Sequence, residues 1–117
     1  MSIKTDETRP RAVPKRLERE EPALRAIQIL DAAVRLSEQI GYTNITRDKV
    51  AAEAGCSLGL ITHYYSTMNI LQRAVMSAAI SRKNLNIIAQ GLALGHPKAQ
   101  RAPQELRIAA AASITGE

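Results

Sequence analysis

The feature that most constrains the fold is a long central stretch of the chain without proline. The five prolines stand at positions 10, 14, 22, 97 and 103, so residues 23–96 lack this helix breaker. The 117-residue chain has 19 Ala, 12 Ile and 11 Leu but no Phe or Trp, and Ala and Leu are strong helix formers. We therefore predict an all-α fold, a small helical bundle of one domain's size, and exclude most all-β architectures.

Charge and cysteine usage narrow the classes of protein further. The chain holds 16 basic and 11 acidic residues, and the resulting charge of +5 favours polyanionic partners. Its apolar runs are shorter than a bilayer span and its first residues are polar, so we expect neither a transmembrane helix nor a secretory signal. The single Cys56 excludes an internal disulfide and fits a reducing, cytoplasmic environment.

Composition divides the chain into three segments. Residues 1–21 hold six basic and five acidic residues with two prolines, which predicts a flexible arm. Its basic pairs, in Arg9-Pro10-Arg11 and Lys15-Arg16, could follow a DNA minor groove or belong to a solvated tail. Residues 22–90 carry the helical pattern. Residues 91–117 are predicted to form a linker and a short C-terminal helix, a candidate dimerisation element.

Capping residues set the bounds of the first three predicted helices. Pro22 suits a first helical turn, and Gly41 suits a left-handed C-cap about five turns later. Thr46 is an N-cap candidate for a second helix that runs to about residue 54 and ends at Gly55. Ser57 can cap a third, short helix that ends near residue 64.

The pattern after the third helix predicts a longer one. Ser66 or Thr67 can serve as its N-cap, and apolar residues continue at helical spacing to about Gln90. We therefore predict one long fourth helix. The breakers that indicate a linker after it are Gly91, Gly95 and Pro97. An Ala-rich helix is predicted over residues 104–114.

The most informative stretch is residues 47–64, RDKVAAEAGCSLGLITHY. When two short helices meet at a steep angle, the crossing residue must be small and the turn needs a positive φ. Ala51 and Gly55 meet these two requirements. The other positions that face the shared core hold Val50, Ala54, Cys56, Ile61 and Tyr64. We infer a helix-turn-helix, with an ordinary helix pair in a bundle as the alternative.

The second helix of such a motif enters the DNA major groove with its N-terminal end and exposed face. On that face Ser57 and Thr62 can hydrogen-bond a phosphate or a base edge. Gly59 allows the DNA to approach the backbone, Leu58 can touch a thymine methyl, and His63 can donate a hydrogen bond. This face is the predicted recognition surface.

The start of the preceding helix completes the predicted site. Thr46 and the first amides after it face the phosphate backbone, because helix N-termini attract anions, and Lys49 adds a positive charge there. The predicted DNA-binding residues are Thr46, Arg47, Lys49, Ser57, Leu58, Gly59, Thr62, His63 and Tyr64.

With these residues in place, the stretch from about Arg25 to Leu71 resembles the DNA-binding domain of the TetR family of bacterial repressors. The matching segments are Ile29-Leu30-Asp31-Ala32-Ala33, Gly41-Tyr42, Ile45-Thr46, Val50-Ala51, Ala54-Gly55-Cys56-Ser57, Gly59, Ile61, Tyr64-Tyr65 and Leu71. The resemblance implies an operator-binding dimer with the third helix in the groove, and a cytoplasmic protein held at the nucleoid by DNA. The DNA-contacting positions it implies are Thr46, Ser57, Gly59, Thr62, His63 and Tyr64.

Three departures from the family pattern change the expected mechanism. Thr62 replaces a tyrosine that usually grips phosphate, and Met68-Asn69 replaces a Lys-Glu pair. Only 27 residues follow Gln90, too few to enclose an inducer pocket of roughly 300 Å³ or more. We expect a reading head without a small-molecule ligand or ligand-binding domain, which suits autoregulation by concentration and a plasmid or other mobile element.

The fourth helix offers a seam with a spacing of alternately four and three residues, in which one position is polar. Its members are Leu71, Val75, Ala78, Arg82, Leu85, Ala89 and Leu92. Such a seam is typical of a helix–helix dimer contact, but it also suits packing on the first helix of the same chain. Residues 109–112, all alanine, could add close helix packing.

Catalysis and metal binding have little support in the residue types present. Cys56, His63 and His96 are too few and too scattered for a catalytic or metal-binding group, so we expect no enzyme, no cofactor and no metal. The sequence thus predicts a sequence-specific regulator, a repressor that binds a palindromic operator as a homodimer. The alternative is a protein-interaction antagonist that heterodimerises with a full-length TetR-like repressor.

Overall fold

The computed structural model describes residues 22–115 and contains, over that range, helices and no strands. The helices are α1 (Pro22–Ile40), α2 (Arg47–Ala54), α3 (Leu58–Tyr64), α4 (Met68–Ser81), α5 (Leu85–Leu94), α6 (Pro97–Gln100) and α7 (Gln104–Thr115). The predicted all-α helical bundle is confirmed. The arm predicted for residues 1–21 lies outside the described residues.

The core lies where α1 packs against α2, α4 and α5. Ile29 and Ala33 on α1 are buried against Leu71 and Val75 on α4, together with Ile88 on α5, in one continuous cluster. Burial of each large aliphatic side chain contributes about 1.5–3 kcal/mol relative to exposure. Ala33 is fully buried, and its small side chain lets α4 lie close to α1.

Several predicted helix ends are confirmed by the backbone. Gly41 has φ +96°, and its N–H donates to the Ser37 carbonyl at 3.0 Å, which closes α1. Of the two candidate caps for α4, Thr67 is the one used, since its Oγ1 accepts from the amide of Ile70 at 3.1 Å. The last helix begins at Gln104, as the Pro103 breaker and the Ala-rich stretch predict.

The predicted long fourth helix is wrong, because α4 ends at Ser81 and α5 begins at Leu85. Lys83 between them has φ +58°. Asn84 caps α5 by accepting from the Ile87 amide at 3.3 Å, and its own amide group donates to a Glu38 carboxylate oxygen at 2.6 Å. Apolar spacing continues across the break because both helices cover the same core, so periodicity alone could not reveal it.

The predicted linker over residues 91–103 is also wrong, because residues 91–94 belong to α5 and residues 97–100 form the short helix α6. Gly91 lies inside α5 and is buried. A Cβ at this position would lie 2.6 Å from Met76 Cε and 2.7 Å from Ala99 Cβ, so the glycine permits α4 and α6 to crowd against α5. The helix ends only at Gly95, which has φ +74°. A glycine needed for close approach was mistaken for a helix breaker.

The proposed dimer seam is not a free surface. Its members Leu71, Val75, Ala78 and Ala89 are buried within the chain's own core, and Leu85 and Leu92 pack partly buried against it. Arg82 forms an ion pair with Asp31 on α1 at 2.8 Å. The seam therefore packs within the chain, which was the alternative interpretation, and the dimer-contact interpretation of these residues is wrong.

Helices α5, α6 and α7 form the C-terminal layer of the bundle. Helix α7 packs chiefly against α5, and α6 lies across α4 and α5. Leu94 and Ile108 leave 62% and 61% of their surface exposed, more than the other large apolar residues described. Between residues 22 and 115, no helix combines the length and apolar character needed to cross a bilayer.

Candidate nucleic-acid interface

The turn between α2 and α3 has the geometry that the sequence predicts. Gly55 has φ +70°, a left-handed conformation that glycine adopts without a Cβ penalty. The amide of Cys56 donates to the Ala51 carbonyl at 3.0 Å, which ties the turn back onto α2. Thr46 caps the other end of α2, where its Oγ1 accepts from the Lys49 amide at 3.2 Å. Both ends of α2 are therefore fixed by local hydrogen bonds.

Helix α3 is a two-turn rod with one buried side. Ser57 caps it by accepting from the Leu60 amide at 3.1 Å. Ile61 is fully buried, and Leu60 and Tyr64 pack partly buried beside it. On α2, Val50 and Ala51 are buried against the same core. Ala51, the residue predicted at the crossing point, and Ile61 are thus buried in one apolar cluster that the two helices share.

On the opposite side of α3, no described residue covers the helix, and its side chains are exposed to solvent. Leu58 is 46% exposed. A Cβ at Gly59 would meet only Ser57 Oγ, at 3.9 Å, so the surface there is free for close approach. The exposed residues of this face, the α3 surface, are Ser57, Leu58, Gly59, Thr62 and His63.

Two hydroxyls on the α3 surface have distinct hydrogen-bonding capacities. Ser57 Oγ accepts from the Leu60 amide, which leaves its O–H free to donate. Thr62 Oγ1 donates to the Leu58 carbonyl at 3.3 Å, so its lone pairs remain for accepting. A phosphate needs donors, whereas the amino groups of cytosine and adenine need acceptors. Ser57 thus suits phosphate, and Thr62 suits a base amino group.

The remaining predicted residues differ in their availability. Thr46 and Lys49 are exposed at the start of α2. Tyr64 is half buried, and its ring meets the His63 ring edge to face at 4.8 Å between centroids. Arg47 is half buried and donates from Nη2 to the Ser66 carbonyl at 3.0 Å. Of the predicted set, Thr46, Arg47 and Leu58 line one hollow together, and Arg47 and Tyr64 are engaged by their own chain.

Residues that hold the helix-turn-helix on α1 were not predicted from the sequence pattern. Tyr65, directly after α3, donates its phenol O–H to the Ala26 carbonyl of α1 at 3.1 Å. Burial, with a smaller contribution from the Asp31 charge, raises the pKa of this phenol. Arg35 on α1 pairs with Glu53 on α2 at 2.9 Å. These contacts join residues 18 to 39 positions apart, and only their long-range pairing in space reveals them.

Cys56 is a packing residue of the turn. The thiol is half buried, and burial raises its pKa, opposed in part by the Arg25 charge. A raised pKa disfavours the thiolate that nucleophilic or metal-binding chemistry requires. Over the described part of the chain, no group of three or more His, Cys, Asp or Glu residues is placed to hold a metal ion.

Two short helices joined by a glycine turn, the second with one face buried and one face open, define a helix-turn-helix DNA-binding domain. Residues 29–75 match the family model for bacterial regulatory proteins of the tetR family. The match supports a TetR-family N-terminal helix-turn-helix domain over these residues, as the resemblance predicts, and the family is one of DNA-binding transcriptional regulators. No curated protein and no solved structure matches the chain significantly.

Proposed function

We propose that the protein is a sequence-specific repressor that binds a palindromic operator as a homodimer, with α3 in the major groove. The observation that carries this proposal is the open α3 surface, which lies on a rod of the width that the major groove admits. The cytoplasmic, nucleoid-associated setting and an autoregulatory role on a plasmid or other mobile element are further parts of the proposal.

In this proposal, exposed residues along α3 distinguish one base from another. Leu58 offers an apolar contact for a thymine methyl, and Thr62 offers lone pairs for a base amino group. His63 is exposed at the end of the same face and can donate to a base or phosphate acceptor. Gly59 keeps the centre of this surface flat, so these neighbours can reach the base edges.

Charged groups around α3 supply the general affinity for DNA in this proposal. Lys49 is exposed in the first turn of α2, close to the free amides of that N-terminus, where a phosphate would meet positive potential. Further cations line the grooves beside α4 and α6, namely Arg73, Lys98 and Arg101. None of these three forms an ion pair with another described residue, so they are free to add to a positive field around DNA.

The homodimer part of the proposal assigns the contact to the C-terminal layer. Leu94 at the end of α5 and Ile108 on α7 are the large apolar side chains with the greatest exposure among those described. Burial of their exposed apolar surface against a second copy of the chain would stabilise such a contact. Binding of such a dimer to two half-sites on one face of the duplex requires its two α3 helices to lie about 34 Å apart.

The test is selection of duplexes from a random-sequence DNA pool with the full chain, followed by a gel shift of the selected duplex over a salt titration. We expect a motif with two-fold symmetry and a log affinity that falls linearly with log salt. A motif without symmetry would contradict the homodimer. Absence of any shift at every salt concentration, together with a stable complex with a full-length TetR-like repressor, would favour the antagonist.

A further inference from the structure

We propose that Arg47 is a positioning residue, which holds α3 in its docking orientation and does not bind a DNA phosphate. This inference rests on the proposed function, because it concerns how the α3 surface is presented to DNA. It also changes the role predicted for this residue from the sequence, which places Arg47 among the DNA-binding residues. Three observations about the side chain carry the argument.

The first observation is the partner of the guanidinium. Arg47 is the first residue of α2, and its Nη2 donates to the Ser66 carbonyl at 3.0 Å. Ser66 lies in the turn between the end of α3 and Thr67, the N-cap of α4. The bond therefore links the segment before α3 to the segment after it, across 19 positions of sequence. It closes a loop that contains the whole recognition helix.

The second observation is which edge of the guanidinium is used. Arg47 Nε has less than 1 Å² of exposed surface and no hydrogen-bond partner among the described residues. Arginine binds a phosphate or a guanine strongly when two N–H groups on one edge point at the ligand. Here the edge formed by Nε and Nη2 faces the protein. This edge is turned toward the turn at Ser66, so it is not available to a DNA ligand.

The third observation is where this contact lies. A shallow hollow of about 290 Å³ is lined by the first residues of three helices and the segment before them, namely Ile45, Thr46, Arg47, Asp48, Leu58 and Met68. Arg47 thus stands where the starts of α2, α3 and α4 converge. Leu58 belongs both to this hollow and to the α3 surface, so a shift of the turn at Ser66 would be transmitted to a base-contacting position.

The consequence for binding follows from the shortness of α3. A helix of seven residues has only two turns to fix its tilt. Loss of the Arg47 bond would let α3 tilt, which displaces base contacts more than it weakens general attraction to phosphates. The expected result is a loss of discrimination between operator and random DNA. Lys49, two residues later and exposed, is the matched cation for comparison.

The experiment compares Arg47→Gln with Lys49→Gln in the full chain, using the duplex selected by the wild-type protein and a random duplex of equal length. For Arg47→Gln we expect operator affinity to fall about tenfold, while affinity for random DNA and the salt slope stay at their wild-type values. For Lys49→Gln we expect both affinities to fall together and the slope of log affinity against log salt to shrink by about 0.9.

Hydrogen exchange without DNA provides a second readout. Amides of α3 and of the turn at Ser66 should exchange faster in Arg47→Gln than in wild type, and should be unchanged in Lys49→Gln. A third variant, Arg47→Lys, retains the charge but lacks the planar fork. If Arg47 positions α3, Arg47→Lys should still lower the ratio of operator affinity to random-DNA affinity. If Arg47 instead bound a phosphate, the lysine would replace it and the ratio would stay at its wild-type value. If Arg47→Gln does not fold, the affinity ratio of Arg47→Lys decides the question.

The inference is overturned if Arg47→Gln weakens operator and random DNA equally with a slope reduced by about 0.9, or if exchange in α3 is unchanged. Failure of the proposed function is a separate result. In that case the wild-type protein shows no salt-dependent binding to either duplex, and the exchange measurement alone decides whether Arg47 holds α3.

Discussion

His63 and Tyr64 are neighbours in the chain, yet they have opposite environments. His63 is exposed on the α3 surface, and Tyr64 is half buried against the core. Helical geometry turns successive residues by about 100°, so the last turn of α3 can supply one DNA contact and one core contact. At the residue scale, function and folding are therefore separable on α3, and single substitutions can test one without the other.

Substitution of His63 tests the recognition surface. We expect His63→Ala to weaken operator binding by about 1 kcal/mol, or roughly fivefold, because one hydrogen bond to a base or phosphate is lost. The thermal midpoint should not change, because the residue is exposed. Gln39→Ala, an exposed change on α1, is the control. Wild-type operator affinity in a folded His63→Ala protein would remove His63 from the interface.

Substitution of Gly59 tests the docking distance. A leucine there would project from the centre of the α3 surface into open space, so Gly59→Leu should fold normally. It should abolish operator binding in a gel shift, because the side chain holds the helix off the groove. A Gly59→Leu protein that still protects the operator from cleavage would show that α3 docks in another orientation.

At the element scale, the arrangement of α4, α5 and α6 depends on one close approach. Gly91 on α5 lets Met76 of α4 and Ala99 of α6 meet the helix backbone. His96 joins the same region, since its Nδ1 caps α6 by accepting from the Lys98 amide at 3.1 Å and its ring meets Tyr42 at 5.7 Å. The packing of this second half of the bundle should therefore be sensitive to small changes in volume and protonation.

Two glycine-to-alanine changes should have opposite effects on stability. Gly91→Ala places a methyl group 2.6 Å from Met76 Cε, and overpacking of this kind costs about 1–3 kcal/mol. Gly59→Ala has free space in a helix and should stabilise by about 0.5–1 kcal/mol. Urea unfolding of both variants measures the difference. Equal midpoints would contradict the close approach at Gly91.

The His96 cap predicts a dependence of stability on pH. Burial lowers the pKa of His96 from its usual 6.5, and the charges of Lys98 and Arg73 lower it further. The folded state thus binds fewer protons than the unfolded chain, so the stability from His96 is complete above about pH 6.5 and declines as pH falls below it. Charge on the ring also removes the lone pair that caps α6.

The matched variant is His96→Asn, which keeps a side-chain acceptor at the cap without a titrating ring. The thermal midpoint is measured at about pH 7.5 and about pH 5.5, on either side of the ordinary histidine pKa. The decrease in the midpoint between these two pH values should be smaller in this variant than in wild type. A decrease of equal size in both proteins would assign the pH dependence to other groups.

At the scale of the whole molecule, the helix-turn-helix and the C-terminal helices have different surfaces. The first half presents the α3 surface, where polar and small residues surround Leu58. The C-terminal layer presents Leu94 and Ile108, each more than half exposed. The proposed homodimer uses this second surface and leaves both α3 helices free.

A charge placed on the C-terminal layer tests the dimer. We expect Ile108→Glu to shift the protein from dimer to monomer in sedimentation velocity and to lower operator affinity at least tenfold, because two half-sites are no longer bound together. Ile27→Glu on α1, a substitution of similar exposure elsewhere, should leave the dimer intact. A dimer that survives Ile108→Glu would assign the interface to another surface.

The sequence by itself determined the local features of this protein. Thr46, Gly55 and Ser57 act through hydrogen bonds and φ angles within a few residues of themselves, so the start, turn and cap of the helix-turn-helix could be predicted. The order of buried and exposed residues on α3 follows from helical periodicity. The family match to residues 29–75 rests on the same local pattern.

The tertiary structure alone decided where long-range contacts override local patterns. The break at Lys83 depends partly on Asn84 reaching Glu38, 46 residues away. Gly91 stands inside α5 because the close packing there leaves no room for a Cβ. Arg47 turns toward the turn at Ser66 because the carbonyl of Ser66 lies beside it. Each outcome requires residues distant in sequence to meet in space, and periodicity carries no information about which ones do.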